Sequence, residues 1–269
     1  MLGAIVGDIV GSRFEFDNHR SKSFELFDQR CRPTDDSIMT LAVAGAISEV
    51  FDQEWSETEL AAAAVRWMRQ LGRQYLDAGY GGRFGRWLAS DDPQPYNSFG
   101  NGAAMRVSPT GLVGRDEAEV IRLSDAVTAV SHNHPEGIKG ARATALAVFW
   151  AKNGLSQNEI KSRIESDYYR LDFTIDQIRS SYEFNETCQE TVPQAIECFL
   201  EATGFEDAIR LAISLGGDSD TVAAITGSIA DAYWGVPEAI AEQARGFLDQ
   251  RLSRLLDQWE SRFGSGLTS

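Results

Sequence analysis

Gly3-Ala4-Ile5-Val6-Gly7-Asp8-Ile9-Val10-Gly11-Ser12-Arg13-Phe14-Glu15 opens the chain, with a glycine at every fourth position from 3 to 11. Residues four apart share one face of a helix, so a helix here carries a face with no side chains. Glycine inside a helix costs about 1 kcal/mol relative to alanine. A bare face offsets that cost where a second backbone must approach closely. The segment is too short to span a bilayer, so it predicts a helix packed tightly inside a core. On the same helical reading Asp8, Ser12 and Glu15 fall on one polar face, which is either a functional set or an ordinary solvated surface.

Helical signals continue outward from this segment. Ser56-Glu57-Thr58-Glu59 and Ser156-Gln157-Asn158-Glu159 are capping boxes. Pro193 fits a first helical turn and Gly204 a helix stop. Gly154 closes the run 136–153 in the same way. Residues 237–263 predict one or two helices from the spacing of Ile240, Phe247, Leu248, Leu252, Leu255, Leu256 and Trp259. Alternation of the strand type is nearly absent, with Phe24-Glu25-Leu26-Phe27 the mild candidate. The longest stretches without helical pattern, 14–33 and 90–102, have the length of functional loops. No linker or repeat divides the chain. The expectation is one all-α domain over residues 1–263, followed by a short tail, 264–269.

The chain has 269 residues, 43% of them apolar, enough for a well-buried core. Its 25 basic and 40 acidic residues give a net charge of −15, a field that disfavours nucleic acid and anionic membranes as partners. An anionic small ligand remains compatible, because bound divalent cations reverse the local sign. Cys31, Cys188 and Cys198 form no CxxC pair, and an odd count in a long chain suggests reduced thiols and a cytoplasmic protein. The first residues lack a basic region and meet Asp8 early, so no signal peptide is expected.

The chemistry concentrates in two acidic segments far apart in the chain, Thr34-Asp35-Asp36 and Asp218-Ser219-Asp220-Thr221. Each offers two carboxylates and a hydroxyl ahead of an apolar helix. Capping of those helices is the plain account, since Thr and Asp satisfy free N–H groups and the helix dipole. A cap needs one acceptor, however, and paired aspartates repel unless a cation neutralises them. Six hard oxygen donors suit Mg²⁺ or Mn²⁺ rather than zinc. Gly216-Gly217 lets the backbone turn sharply before the second segment. Gly100-Asn101-Gly102-Ala103-Ala104-Met105-Arg106 is a glycine-flanked turn whose N–H groups can hold a phosphate, although such turns are common punctuation. Ser131-His132-Asn133-His134 brings two histidines together; without cysteine or a third histidine this is poor zinc chemistry, and capping of the following helix is the simpler account. Walker, zincin and nucleophile-elbow motifs are all missing.

Taken together and in order, Gly3 to Glu15, Thr34-Asp35-Asp36, Gly100 to Arg106, Ser131 to His134 with Gly140-Ala141, and Gly216 to Thr221 running on to Gly227 resemble the ADP-ribosylglycohydrolase family. That family includes the dinitrogenase-reductase-activating glycohydrolases and the ADP-ribosyl-acceptor hydrolases. The resemblance implies an all-α fold with two divalent cations, Mg²⁺ or Mn²⁺, in a cleft. It implies Thr34, Asp35, Asp36, Asp218, Asp220 and Thr221 as metal ligands, with Glu15 at the metal edge. Gly100, Asn101, Gly102 and Met105 would line the ADP-ribose groove, with Ser131 and His132 near the diphosphate or distal ribose. The implied reaction is hydrolysis of the bond between ADP-ribose and an acceptor, either a protein side chain or a small conjugate. Glu15, Asp35 and Asp36 are the candidate acid or base, and the pattern does not choose among them. Arginine-directed members can carry an acidic residue just before the Asn-Gly turn; Tyr96-Asn97-Ser98-Phe99 has none, so an O-linked acceptor is as plausible as arginine. The competing readings are a non-catalytic ADP-ribose-binding or crystallin-like structural member, and a hydrolase of another phosphoester. Retention of all six donors argues against the first, and phosphate release would identify the second. The oligomeric state stays open, with a monomer the simplest expectation.

Overall fold

The structure, a computed structural model, describes residues 1–51 and 54–264, and every extended element it contains is helical. In chain order the helices are α1 (Leu2–Gly11), α2 (Asp35–Val50), α3 (Glu57–Gly72), α4 (Gly82–Ala89), α5 (Ser108–Val113), α6 (Glu117–Thr128), α7 (Pro135–Lys152), α8 (Gln157–Asp167), α9 (Ile175–Ile178), α10 (Cys188–Glu201), α11 (Phe205–Leu215), α12 (Ser219–Trp234), α13 (Glu238–Arg245) and α14 (Gln250–Phe263). A 3-10 turn covers Asn101–Ala103. One hydrophobic core runs through them, with buried members from Met1 to Trp259. No helix among the described residues is long and apolar enough to cross a membrane. Of the expected tail, residues 265–269 lie outside the described residues.

The glycine face of α1 lies against α12. A Cβ on Gly3 would sit 2.1 Å from the Gly227 carbonyl oxygen, one on Gly7 2.0 Å from that of Ala223, and one on Gly11 2.4 Å from the Asp220 Cα. The contact is reciprocal, since a Cβ on Gly227 would meet the Gly3 oxygen at 2.2 Å. The two backbones therefore touch along the length of α1, and this contact carries the start of α12 to the end of α1. Gly7→Ala has no flexible side chain to displace, only the α12 backbone. It is expected to cost about 3 kcal/mol, read as a lower denaturant midpoint. A loss below about 1 kcal/mol would mean that the helices separate easily.

Both expected capping boxes form, at Ser56/Glu59 and Ser156/Glu159, and a third appears at Thr174/Gln177. Gly154 ends α7 in the left-handed region, at φ +80°. Two punctuation readings are corrected. Pro193 lies inside α10 instead of opening it. The helix starts earlier because Gly100 bridges to Thr187 and the Cys188 N–H donates to the Phe99 carbonyl at 2.9 Å, a tertiary constraint. Gly204 does not stop α10, which ends at Glu201 with Ala202 as its cap; it precedes α11 in extended backbone. Phe24–Phe27 forms no strand, having no neighbour to pair with; Phe24 instead sets its ring edge-on to Phe14 at 5.3 Å.

Candidate metal centre and ligand cleft

The two acidic segments meet. The Thr221 hydroxyl donates to Asp36 Oδ2 at 3.2 Å across 185 positions of sequence. Thr34 does cap α2, its Oγ1 accepting the Asp36 N–H at 3.4 Å, so capping and site-building coexist. The Thr34 proton goes elsewhere, to Asp8 Oδ1. Asp8 also accepts from the N–H groups of Thr34 and Ser37, at 2.9 and 3.0 Å, and from the Ser37 hydroxyl. This wholly buried carboxylate pins the first acidic segment to α1. Sequence reading had grouped Asp8 with Ser12 and Glu15 on one helical face. That grouping is corrected: α1 ends at Gly11, Ser12 donates to the Ile9 carbonyl and accepts from the Arg32 N–H, and Glu15 projects from the following turn.

Asp218 precedes α12 but makes no capping bond. Its Oδ2 accepts instead from Asn101 Nδ2 at 2.6 Å, joining the second acidic segment to the Asn-Gly turn. Gly216 and Gly217 supply the expected sharp turn, at φ +76° and +74°. Asn18, which carries no local signal in the sequence, holds that turn on both sides. Its amide donates to the carbonyls of Phe14 and Gly217 at 2.9 and 3.0 Å, and its oxygen accepts the Gly217 N–H at 2.8 Å. The Glu15 turn and the second acidic segment are thus tied together.

Two three-carboxylate groups result, Asp8/Asp36/Asp220 and Glu15/Asp218/Asp220, each with oxygens within 4.8 Å of one another. Asp220 belongs to both. Burial, and then mutual repulsion, raises the carboxyl pKa values of Asp35, Asp36 and Asp220 well above the ordinary range. Burial pushes Asp218 up to about 7 and half-buried Glu15 up to about 8, with Asp220 adding to the Glu15 shift and Arg32 opposing it. The charged neighbours acting most strongly on Asp35, Asp36 and Asp220 are themselves acidic. Asp36 Oδ1 is buried without a hydrogen-bond partner among the described residues. An all-oxygen donor set, an orphaned carboxylate oxygen and uncompensated negative charge fit hard divalent cations. Asp35, Asp36, Asp218, Asp220 and Thr221 face the cleft and Thr34 lies behind them, its proton turned to Asp8 and a lone pair left available.

From the carboxylates a cleft of about 210 Å³ extends past Gly100, Asn101, Gly102 and Met105 to His132. These are the groove residues expected from sequence. Ser131 is a correction: it is wholly buried behind the cleft wall, because its hydroxyl is taken between Arg106 and the His132 ring. His134 caps α7, its Nδ1 accepting from the Glu136 N–H at 3.1 Å, as the simpler account of that segment held. Phe84, Tyr96 and Arg83 also line the cleft, and so does Glu186. Glu186 reaches it because its carbonyl accepts the Asn101 N–H at 2.8 Å beside the Gly100–Thr187 bridge. No local pattern announces a pairing between segments so distant.

The ADP-ribosylglycohydrolase family matches residues 1–265. The chain is 27% identical to "ADP-ribosylarginine hydrolase Tri1" of Pseudomonas putida (strain GB-1), over 95% of this chain and 76% of that protein. It is 25% identical to mouse "ADP-ribosylhydrolase ARH3", over 96% of this chain and 91% of that one. A solved chain titled "ADP-ribosylglycohydrolase-related protein complex" superposes with a TM-score of 0.64 at 23% identity, covering 99% of this chain and 95% of its own, which is likeness of fold. The all-α architecture, the motifs in their order and a match over nearly the whole length agree: the chain belongs to the ADP-ribosylglycohydrolase family.

Proposed function

We propose that this protein is a hydrolase dependent on two divalent cations, Mg²⁺ or Mn²⁺, that releases ADP-ribose from an acceptor. The observation that carries the reading is the convergence of Asp36, Asp218, Asp220 and Glu15 in a cleft that runs on past Gly100–Gly102 to His132. When bound, the cations supply Lewis-acid grip on ribose hydroxyls and the positive charge that a diphosphate needs in so acidic a protein. Asp36, Asp218, Asp220, Asp35 and the hydroxyls of Thr34 and Thr221 hold them. Asp8 and Asn101 orient those ligands through the hydrogen bonds described above. Glu15 is the proton carrier of choice, because it is the half-exposed carboxyl at the metal edge, open to the cleft. Carboxylates flanking the anomeric carbon stabilise positive charge that develops as the glycosidic bond breaks.

The acceptor side is supported by Glu186. Its exposed side chain lines the cleft near Glu15, on the rim where residues 96–99 lack an acid. Two residues earlier in the chain, Phe184 stacks on Phe16 at 5.9 Å, both exposed. An exposed carboxylate on the cleft rim suits a planar cation such as guanidinium, in keeping with the arginine named for the Pseudomonas relative. Glu186→Gln is expected to lower kcat/KM on arginine-linked ADP-ribose about tenfold more than on serine-linked ADP-ribose. Equal losses on both would remove Glu186 from acceptor choice. The function itself is tested by mass-spectrometric detection of free ADP-ribose from arginine-linked, serine-linked and O-acetyl ADP-ribose, with Mg²⁺, Mn²⁺ or EDTA. Metal-dependent release supports the hydrolase. Tight ADP-ribose binding with no release from any conjugate overturns it in favour of a binding or structural protein.

A further inference from the structure

We propose that Arg106 and Ser131 are positioning residues that lock His132 as its Nε2–H tautomer, so that the inner wall of the cleft presents a neutral N–H donor to an oxygen of the bound ADP-ribosyl group. That the oxygen belongs to ADP-ribose rests on the function proposed above; the tautomer rests on geometry alone.

Arg106 is wholly buried, and among the described residues its hydrogen bonds run to the Val127 carbonyl, Ser131 and His132 rather than to a carboxylate. Two of its nitrogens, Nε and Nη1, are buried with no hydrogen-bond partner among the described residues. Its charge rests over the Phe84 ring, 5.4 Å from the centroid. A buried guanidinium with unpaired N–H groups is costly, and an apolar side chain would serve packing better. What the guanidinium adds is a donor of fixed direction. Nη2 lies 2.8 Å from Ser131 Oγ and 3.4 Å from His132 Nδ1. Guanidinium donates and never accepts, and burial lowers its pKa only to about 10, so it keeps its charge at neutral pH.

The direction of the chain follows. Ser131 Oγ accepts from Arg106, which leaves its own proton for His132 Nδ1, 2.8 Å away. A proton on Nδ1 would face the Arg106 N–H and leave the serine proton without this acceptor. Nδ1 is therefore the acceptor, and in neutral imidazole the proton then sits on Nε2. Nε2 faces the groove: a Cβ added to Gly102 would lie 3.3 Å from it and one added to Gly100 3.7 Å. The charged groups acting on His132 are Arg106 and Arg83, both cationic, and with burial they disfavour imidazolium. The aromatic neighbours, Phe84 and Tyr96, stand 6.1 and 5.7 Å from the ring. A neutral donor grips a phosphate or ribose oxygen without adding a further positive charge beside bound cations. It also explains why Ser131 belongs with His132 in the sequence yet never reaches the cleft.

The test is a two-bond ¹H–¹⁵N correlation spectrum of the full chain labelled at histidine, with His132 assigned by its disappearance in His132→Gln. At neutral pH the wild type is expected to show an unprotonated Nδ1 and a protonated Nε2, unchanged into mildly acidic solution, with the Nε2 proton shifting when ADP-ribose is added. Ser131→Ala is expected to mix the tautomers and weaken ADP-ribose binding about tenfold by calorimetry. A protonated Nδ1 or an imidazolium in the wild type overturns the inference without recourse to any variant, and so does an Nε2 signal indifferent to ADP-ribose. Because free ADP-ribose is the probe, failure of the hydrolase reading is separable. The predicted tautomer and binding, with no release from any conjugate, would sink the enzyme and leave this donor standing.

Discussion

Asp220→Ala is expected to lower the proposed release of ADP-ribose by about 10³-fold or more while the helical circular dichroism stays that of the wild type. Asp220 is the residue common to both carboxylate groups, so its loss strips a ligand from each, whereas Asp36→Ala strips one. The fold survives because the contact that places the start of α12 is made by backbone: Gly11 meets the Asp220 Cα and N and the Ser219 carbonyl, not the carboxylate. Asp220 accepts from its own neighbour, the Thr221 N–H at 2.9 Å, and shares a hydrogen bond with Asp218 of the same segment, and removing the carboxylate also removes repulsion from Asp8, Asp35 and Asp36. The metal-free variant is accordingly expected to melt no lower than the metal-free wild type. Turnover near the wild-type value would sink the shared-ligand reading. Helix loss in the metal-free variant would make Asp220 a structural residue. Asp36→Ala serves as the companion, since it leaves the Thr221 hydroxyl without its acceptor and should cost slightly more stability for a similar loss of rate.

What could be read from the sequence follows a physical division. The Gly3/Gly7/Gly11 spacing announced a close backbone contact because a missing side chain is visible at a fixed period. The acidic segments announced themselves because two carboxylates in one turn exceed what a cap requires. The capping boxes at Ser56 and Ser156 were legible because both partners sit within four residues. Reading failed where a long-range contact decided the local outcome. Pro193 looked like a helix start, but the bridge of Gly100 to Thr187 begins α10 earlier. Asp8 looked like one polar residue on a helix face and proved to be the clamp on Thr34 and Ser37. Asn18 and Glu186 carry no local signature, and Arg106, although it ends the Gly100–Arg106 turn, gives no sign there of its role, since the partner of each arrives from another part of the fold. Ser131 was placed in the right neighbourhood, and only the direction of its hydrogen bonds showed that it stands behind the ligand surface.

Metal removal should make stability depend steeply on pH, in the direction opposite to that of an ordinary surface carboxylate. In the unfolded chain these acids ionise near pH 4. In the folded, metal-free protein Asp218 holds its proton to about 7 and Glu15 to about 8, because burial disfavours the charged form. Between those limits the folded state binds more protons than the unfolded one, so stability falls as pH rises through the window and levels off above the folded values. Below about pH 4 both states are protonated and these groups contribute nothing. Asp218 alone amounts to a few kcal/mol on an order-of-magnitude scale; Glu15, half exposed, contributes less because solvent screens it. In EDTA the melting temperature is expected to drop by about 10 °C between about pH 5 and pH 8. Divalent cations bind the ionised carboxylates and displace their protons, so Mg²⁺ or Mn²⁺ should restore most at the alkaline end and little at the acid end. Calorimetry in buffers of different ionisation enthalpy would count the protons released. A melting temperature in EDTA that is flat or rising over this window would mean the carboxylates are better solvated than their packing implies. A fall that no divalent cation reverses would remove the metal centre while leaving the buried acidic cluster real, and the strain would then need another counter-charge in the working protein.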